Sequence, residues 1–263
     1  MTDPRVLLDT GDHVARITLN APKSLNALDA AMLDALADVV EQVAADADVR
    51  VIVLTGAGRG FCSGANLLDP SVEVDVKTLY AVGRVVRALT GAPQAVVARV
   101  NGVAAGAGLS LALAADIVLV AESAPLTLSF SKIGLMPDGG ATQLVSASIG
   151  RARAMRLALL GQHLSAREAE AAGLIAEAVP DEWLDERTAA VVAQLAALDP
   201  RATALTKAAV NDASLNLDAT LEREERGQSE LLSAPAFAEG VAAFREKRAP
   251  LFHHLAAAQS QES

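Results

Sequence analysis

The chain has 263 residues, 52 % of them hydrophobic and only 3 % aromatic, with a net charge of −10. A chain of this length buries roughly 70–75 % of its unfolded surface, the high apolar content excludes disorder, and the scarcity of aromatics means a core built from Ala, Val and Leu. The negative surface repels phosphate backbones and argues against nucleic acid as a partner, and any anionic ligand needs local cations.

The first residues, Met1-Thr2-Asp3-Pro4-Arg5, carry no basic segment followed by an apolar run, so no secretory leader is expected. Residues 13–19 alternate and are rich in β-branched side chains, which predicts a strand. From Asn26 the period becomes helical: Leu28, Met32, Leu36, Val39, Val40 and Val43 share one face, with Asn26 and Asp29 as a capping pair. Val51-Ile52-Val53-Leu54 is a continuous apolar run, as expected for a strand covered on both faces. A Gly-rich loop follows, then a helix over 76–89 and a second buried strand over 95–100.

Residues 102–115 form the most apolar stretch, but fourteen residues containing three glycines fall short of the ~20 needed to span a bilayer. They read as a turn feeding a short helix over 108–114, and 116–121 reads as a third buried strand. Strands alternating with helices and Gly turns argue for an α/β fold with right-handed crossovers. Pro137-Asp138-Gly139-Gly140 opens a helix. Beyond Gly150 the chain is mostly helical, broken by Gly161, Gly173 and Pro180, with a helix over 164–172 and a short strand over 174–179. Four amphipathic helices are predicted over 183–198, 200–211, 217–232 and 235–247. The expected division is a core over 1–199 and a helical region over 200–263.

Gly56-Ala57-Gly58-Arg59-Gly60 follows a buried strand, but Phe61 stands where a dinucleotide fingerprint needs its third glycine, and no P-loop Lys follows. Gly60 to Gly64 is not a nucleophile elbow. The four histidines, His13, His163, His253 and His254, have no metal-ligand spacing with Cys62, so no metal site is expected. As the sole cysteine, Cys62 excludes an internal disulfide and suggests a reducing, cytoplasmic compartment. Inside an apolar turn it reads as a packing residue.

Two Gly-rich turns remain, 56–67 and 101–108, each after a buried parallel strand, where ligands collect in α/β sheets. Their exposed N–H groups can hold one developing oxyanion between them; alternatively, the glycines serve only close packing. At this point the residues carry a family resemblance. Ile17-Thr18-Leu19-Asn20-Ala21-Pro22-Lys23-Ser24-Leu25-Asn26-Ala27-Leu28 resembles the opening of the crotonase superfamily, the enoyl-CoA hydratases and isomerases. So do residues 56–67, residues 100–108, Leu159-Leu160-Gly161 with Ser165-Ala166 and Ala172-Gly173-Leu174, and Phe244-Arg245-Glu246-Lys247-Arg248.

The resemblance covers nearly the whole chain in order. It implies a crotonase-like ββα spiral with a C-terminal helical region for trimerisation and CoA-site cover, assembled as a homotrimer or homohexamer that binds acyl-CoA thioesters. It implies an oxyanion hole made by the N–H groups of Ala65 and Ala107. Lys23 is placed near the CoA phosphates; Leu25, Ala27, Ser63, Asn66, Leu67 and Gly106 are placed in the substrate site; Phe244 and Lys247 reach a neighbouring subunit's adenine. The loop over 68–78 is expected to line the acyl pocket. No cofactor is implied beyond the CoA of the substrate itself.

The two glutamates of the family's hydratases correspond here to Ser110 and Phe130, neither of which can activate water. Residues 130–140, with Asp138, are similar instead to the isomerase branch, which includes the Δ3,Δ2-enoyl-CoA isomerases and the ring-epoxide isomerase of phenylacetate breakdown. There a single carboxylate shuttles the proton. Asp138, between Pro137 and Gly139, also reads as a helix N-cap, and the two roles are compatible. The expectation is an acyl-CoA isomerase. The alternatives are an enoyl-CoA hydratase and a non-catalytic acyl-CoA binder.

Overall fold

A computed structural model of the chain describes residues 5–67, 76–212, 234–248 and 250–252, the side chains of 244 and 245 excepted. The helix expected over 217–232 therefore lies outside the described residues, as does most of the loop expected over 68–78.

The chain enters through an antiparallel hairpin, β1 (Val6–Gly11) and β2 (Val14–Leu19), whose turn residues Asp12 and His13 both have positive φ. That backbone matches the right-handed twist of the strands it joins. Three strands then extend the sheet in parallel: β3 (Val51–Gly56), β5 (Ala95–Val100) and β7 (Ile117–Ala121). All six residues of β3 are buried, which explains why its sequence is continuously apolar rather than alternating. The short β10 (Glu177–Val179) closes the far edge, parallel to β7.

Each of these parallel strands is followed by a much shorter one in a second sheet: β4 (Gly60–Cys62), β6 (Val103–Ala105) and β8 (Leu126–Thr127). In the large sheet β3, β5 and β7 are neighbours; in the small sheet β4, β6 and β8 are neighbours, and all pairs are parallel. The chain thus climbs one strand in both sheets with every turn, as a spiral of ββα units. A last antiparallel strand, β9 (His163–Leu164), borders β8.

The helices cover the spiral. Seven residues of α1 (Ala30–Ala44) are buried, and its N-cap is Asp29, whose carboxylate accepts from the Met32 N–H at 2.8 Å. Asn26 is not part of that cap. It is fully buried, with φ 57°, and its amide is used elsewhere. α2 (Val76–Gly91) packs on α1. α3 (Ala107–Leu113) is buried at every position, α4 (Ala141–Leu160) is kinked at Gly150, and α5 (Ala166–Ala172) begins with a Ser165–Glu168 capping box.

α6 (Leu184–Ala196) and α7 (Pro200–Asn211) follow, and α8 (Pro235–Glu246) is the last described helix. The α7 residue Lys207 is buried and donates to the carbonyls of Leu89 and Gln94 and to Asp116, which fastens α7 to the sheet. Among the described residues no helix is long and apolar enough to cross a membrane.

Candidate active site

The spiral brings three turns to one place. Residues 63–65 follow β4, 106–107 follow β6, and the 3-10 turn Ser129–Ile133 follows β8, so all three leave the carboxyl ends of adjacent parallel strands. The first two touch. At Gly64, φ is 90°, and an added Cβ would sit 2.7 Å from the Ala105 carbonyl oxygen and 3.6 Å from the Ala107 nitrogen. At Gly108 an added Cβ would sit 2.3 Å from the Cys62 carbonyl oxygen. No side chain fits at either position, and the two turns lie backbone to backbone for that reason.

Among the described residues the N–H groups of Ala65 and Ala107 have no hydrogen-bond acceptor. The Ala107 N–H is the first of α3, one of the donors every helix leaves unsatisfied at its start. Ala65 forms a parallel bridge with Leu28: the Leu28 N–H donates to Gly64 and the Asn66 N–H to the Leu28 carbonyl, both at 2.8 Å. This bridge uses the bonding groups of Gly64 and Asn66 and leaves the Ala65 N–H free. Two unsatisfied donors on touching turns can hold one negatively charged oxygen.

The segment carrying Lys23, Leu25 and Ala27 runs alongside. The Ser63 N–H donates to the Leu25 carbonyl at 3.0 Å and its hydroxyl to the Ser24 carbonyl at 3.1 Å. Lys23 is exposed on the 3-10 turn Pro22–Ser24, Ala27 is buried, and Leu67 is exposed at the rim. The structure thus gathers Lys23, Leu25, Ala27, Ser63, Ala65, Asn66, Leu67, Gly106 and Ala107 into one neighbourhood. Lys247 is exposed after α8, and no contact among the described residues brings it there; the Phe244 side chain lies outside the described residues.

Asparagines hold the arrangement. The Asn26 Nδ2 donates to the carbonyls of Ala57, Gly60 and Phe61 at 2.8–3.1 Å, while its Oδ1 accepts from the Ala21 N–H. The Asn101 Oδ1 accepts from the Gly56 N–H, and its Nδ2 donates to Gly58. The sequence pattern places Asn26 with the α1 cap and points to no separate role for Asn101. The one signal for Asn26 was that Asp29 already supplied a cap.

Asp138 lies just before α4, but it does not cap the helix. The N-cap position is Gly140, with no side-chain hydrogen bond, and the helix begins at Ala141. Asp138 instead offers its carbonyl to the Ala141 N–H at 3.1 Å and to the Ser110 hydroxyl at 2.9 Å. Its Oδ1 is buried without a hydrogen-bond partner, and burial pushes the carboxyl above the ordinary carboxylate range. An orphaned, desolvated carboxyl binds a proton more readily than one in water and is suited to exchanging it with a substrate.

Cys62, Phe130 and Ser110, in or beside the same turns, are unsuited to that exchange. Burial pushes the Cys62 thiol up to about 12, so it stays protonated and packs as expected. Phe130 is buried, with its ring 3.8 Å from where a Cβ added at Gly106 would lie, and Ser110 spends its hydroxyl on a carbonyl. Among the described residues no three His, Cys, Asp or Glu side chains converge. Clefts of about 330 and 320 Å³ open elsewhere, one between α4 and α5 and one beside the end of α1. An apolar one of about 110 Å³, lined by Leu128, Pro137, Ala141, Val145 and Met155, adjoins the Asp138 turn. Cavity size does not select the site; the unsatisfied donors and the orphaned carboxyl do.

Comparison with known proteins agrees with this architecture. The family model described as enoyl-CoA hydratase/isomerase matches residues 9–255. The chain is 42 % identical over 249 residues to the 1,2-epoxyphenylacetyl-CoA isomerase of Escherichia coli K12, covering 91 % of this chain and 94 % of that one. It is 43 % identical over 248 residues to a "probable enoyl-CoA hydratase" of Rhodobacter capsulatus, covering 93 % and 96 %. The crystal structure of an enoyl-CoA hydratase from Bacillus anthracis superposes with a TM-score of 0.90 at 32 % identity, over 94 % of this chain and 98 % of that one.

Proposed function

The chain belongs to the enoyl-CoA hydratase/isomerase family, with its crotonase fold, and within that family we propose that it is an acyl-CoA thioester isomerase. The observation that carries this reading is the Asp138 carboxyl, whose Oδ1 is buried without a hydrogen-bond partner among the described residues; the family resemblance, which puts Ser110 and Phe130 where a hydratase has its two glutamates, supports it.

The substrate's thioester oxygen accepts from the N–H groups of Ala65 and Ala107. Removal of an α-proton turns that oxygen into an enolate, and donors already aimed at it stabilise the charge by roughly 3–4 kcal/mol each. In a 3-enoyl thioester Asp138 takes the proton from C2, the double bond shifts from C3–C4 to C2–C3, and the same carboxyl returns the proton at C4. Nothing is added or lost, and no cofactor is consumed. A ring epoxide joined to the thioester through one methylene is the second substrate class, supported by the likeness to the Escherichia coli 1,2-epoxyphenylacetyl-CoA isomerase.

In the same reading Lys23 contacts the CoA phosphates, Leu25, Ala27, Ser63, Asn66, Leu67 and Gly106 line the thioester cleft, and a homotrimer or homohexamer lets Phe244 and Lys247 cover a neighbour's adenine. The names of several relatives support hydration as the second reading. Incubation with 3-enoyl-, 2-enoyl- and aryl-epoxide CoA thioesters, with products resolved by mass and isomer, separates them. Isomerised product of unchanged mass is expected. Water addition to a 2-enoyl thioester without isomerisation overturns the proposal in favour of a hydratase, and tight binding without turnover overturns it in favour of a binder.

A further inference from the structure

The family resemblance puts Ser110 where a hydratase has a glutamate; its side chain is fully buried, and a buried hydroxyl needs a partner. Two acceptors are in reach. The Gly106 carbonyl, one helical turn back on α3, lies at 3.3 Å, and the Asp138 carbonyl, 28 residues on, lies at 2.9 Å. The first is the ordinary back-bond of a serine inside a helix. The second is shorter and joins two segments that meet only through the fold.

The other anchor of Asp138 is local. The Ala141 N–H that shares its carbonyl is three residues away in the same turn, and among the described residues its carboxyl Oδ1 receives no hydrogen bond. The turn also lies hard against α3: a Cβ added at Gly139 would sit 2.8 Å from the Ser110 Cβ and 3.0 Å from Val82. Ser110 is three residues after Ala107 on a helix buried along its whole length.

We propose that Ser110 is a positioning residue, whose hydroxyl sets the place of the Asp138 turn relative to the helix that presents the Ala107 N–H. This rests on the isomerase reading, in which those two groups act on one substrate across the C2 carbon. Removing the hydroxyl frees the turn while leaving both reacting groups present. The loss falls on the chemical step, because a displacement of about 1 Å at a reacting group can lower the rate on the order of 100-fold.

The test is Ser110→Ala, with Ser110→Cys as a second variant that keeps a weak donor. On a 3-enoyl-CoA thioester, Ser110→Ala is expected to lower kcat by about 10- to 100-fold with KM nearly unchanged, and Ser110→Cys to fall between it and the parent. A parental kcat in Ser110→Ala, or a loss confined to KM, overturns the proposal. If the unaltered protein isomerises nothing, the reaction assignment has failed instead. The Asp138 titration, followed by carbon NMR of labelled aspartate, then decides: a lower midpoint in Ser110→Ala supports the positioning role, and an identical titration overturns it.

Discussion

The two halves of the candidate site are built in opposite ways. The half at Ala65 and Ala107 is backbone: its donors are peptide N–H groups, and their placement is forced by turns so close that Gly64 and Gly108 have no room for a side chain. The half at Asp138 is one side chain on a largely exposed segment, where residues 131–136 are all exposed and the nonlocal anchor is the Ser110 hydroxyl. The first half cannot be altered without disturbing the fold. The second is a single side chain, which Asp138→Asn replaces with one of nearly the same shape.

This contrast can be broken from either side. The largest effect is expected from Asp138→Asn, which keeps the shape of the turn but removes the proton carrier. Turnover should fall by about 10²–10⁴-fold, the usual worth of a general acid/base, while a saturated acyl-CoA titrated calorimetrically should bind as before. Gly108→Ala should do the reverse. Its Cβ meets the Cys62 carbonyl oxygen at 2.3 Å, so the turns must part; thermal unfolding should show a loss of about 1–3 kcal/mol or more, and the same thioester should bind weakly.

Asn26→Ala should be milder. It strips hydrogen bonds from the carbonyls of Ala57, Gly60 and Phe61, and buried acceptors left unpaired cost about 1–3 kcal/mol in urea unfolding. The smallest effect is the pH dependence of stability. Burial raises the Asp138 carboxyl in the folded state, so the stability it contributes is full below the ordinary value of 3.8 and is lost as pH rises through the raised one. Asp138→Asn abolishes this loss, and its melting temperature at neutral pH should be slightly higher than the parent's. Parental kcat should fall as pH drops through the same raised midpoint.

The sequence shows some of this more clearly than the rest. The strand expected over 95–100 is β5 without change, and the helix expected over 200–211 is α7, because runs of six or more residues carry enough period to read. The small sheet is invisible: β4, β6, β8 and β9 have two or three residues each, too few to show alternation, and 60–62 reads as loop. The expected strand over 174–179 is only β10, its first three residues being a bend outside the sheet.

The same limit applies at the site. The Gly-rich turns could be found from composition, and Asp138 from its place before a helix. What Asp138 does locally could not be found, because the cap falls to Gly140 and its partner Ser110 lies 28 residues away. Asn26 likewise reads as a cap until its partners, 31–35 residues on, are brought beside it by the spiral.

In the proposed reaction one half-buried carboxyl, Asp138, both removes and returns the proton. A 3-enoyl-CoA thioester deuterated at C2 tests this most directly when the reaction is run in ordinary water and the product is read by NMR. A carboxyl that holds the proton between the two steps should deliver part of the deuterium to C4 of the 2-enoyl product. A product with no deuterium at C4 would contradict the account.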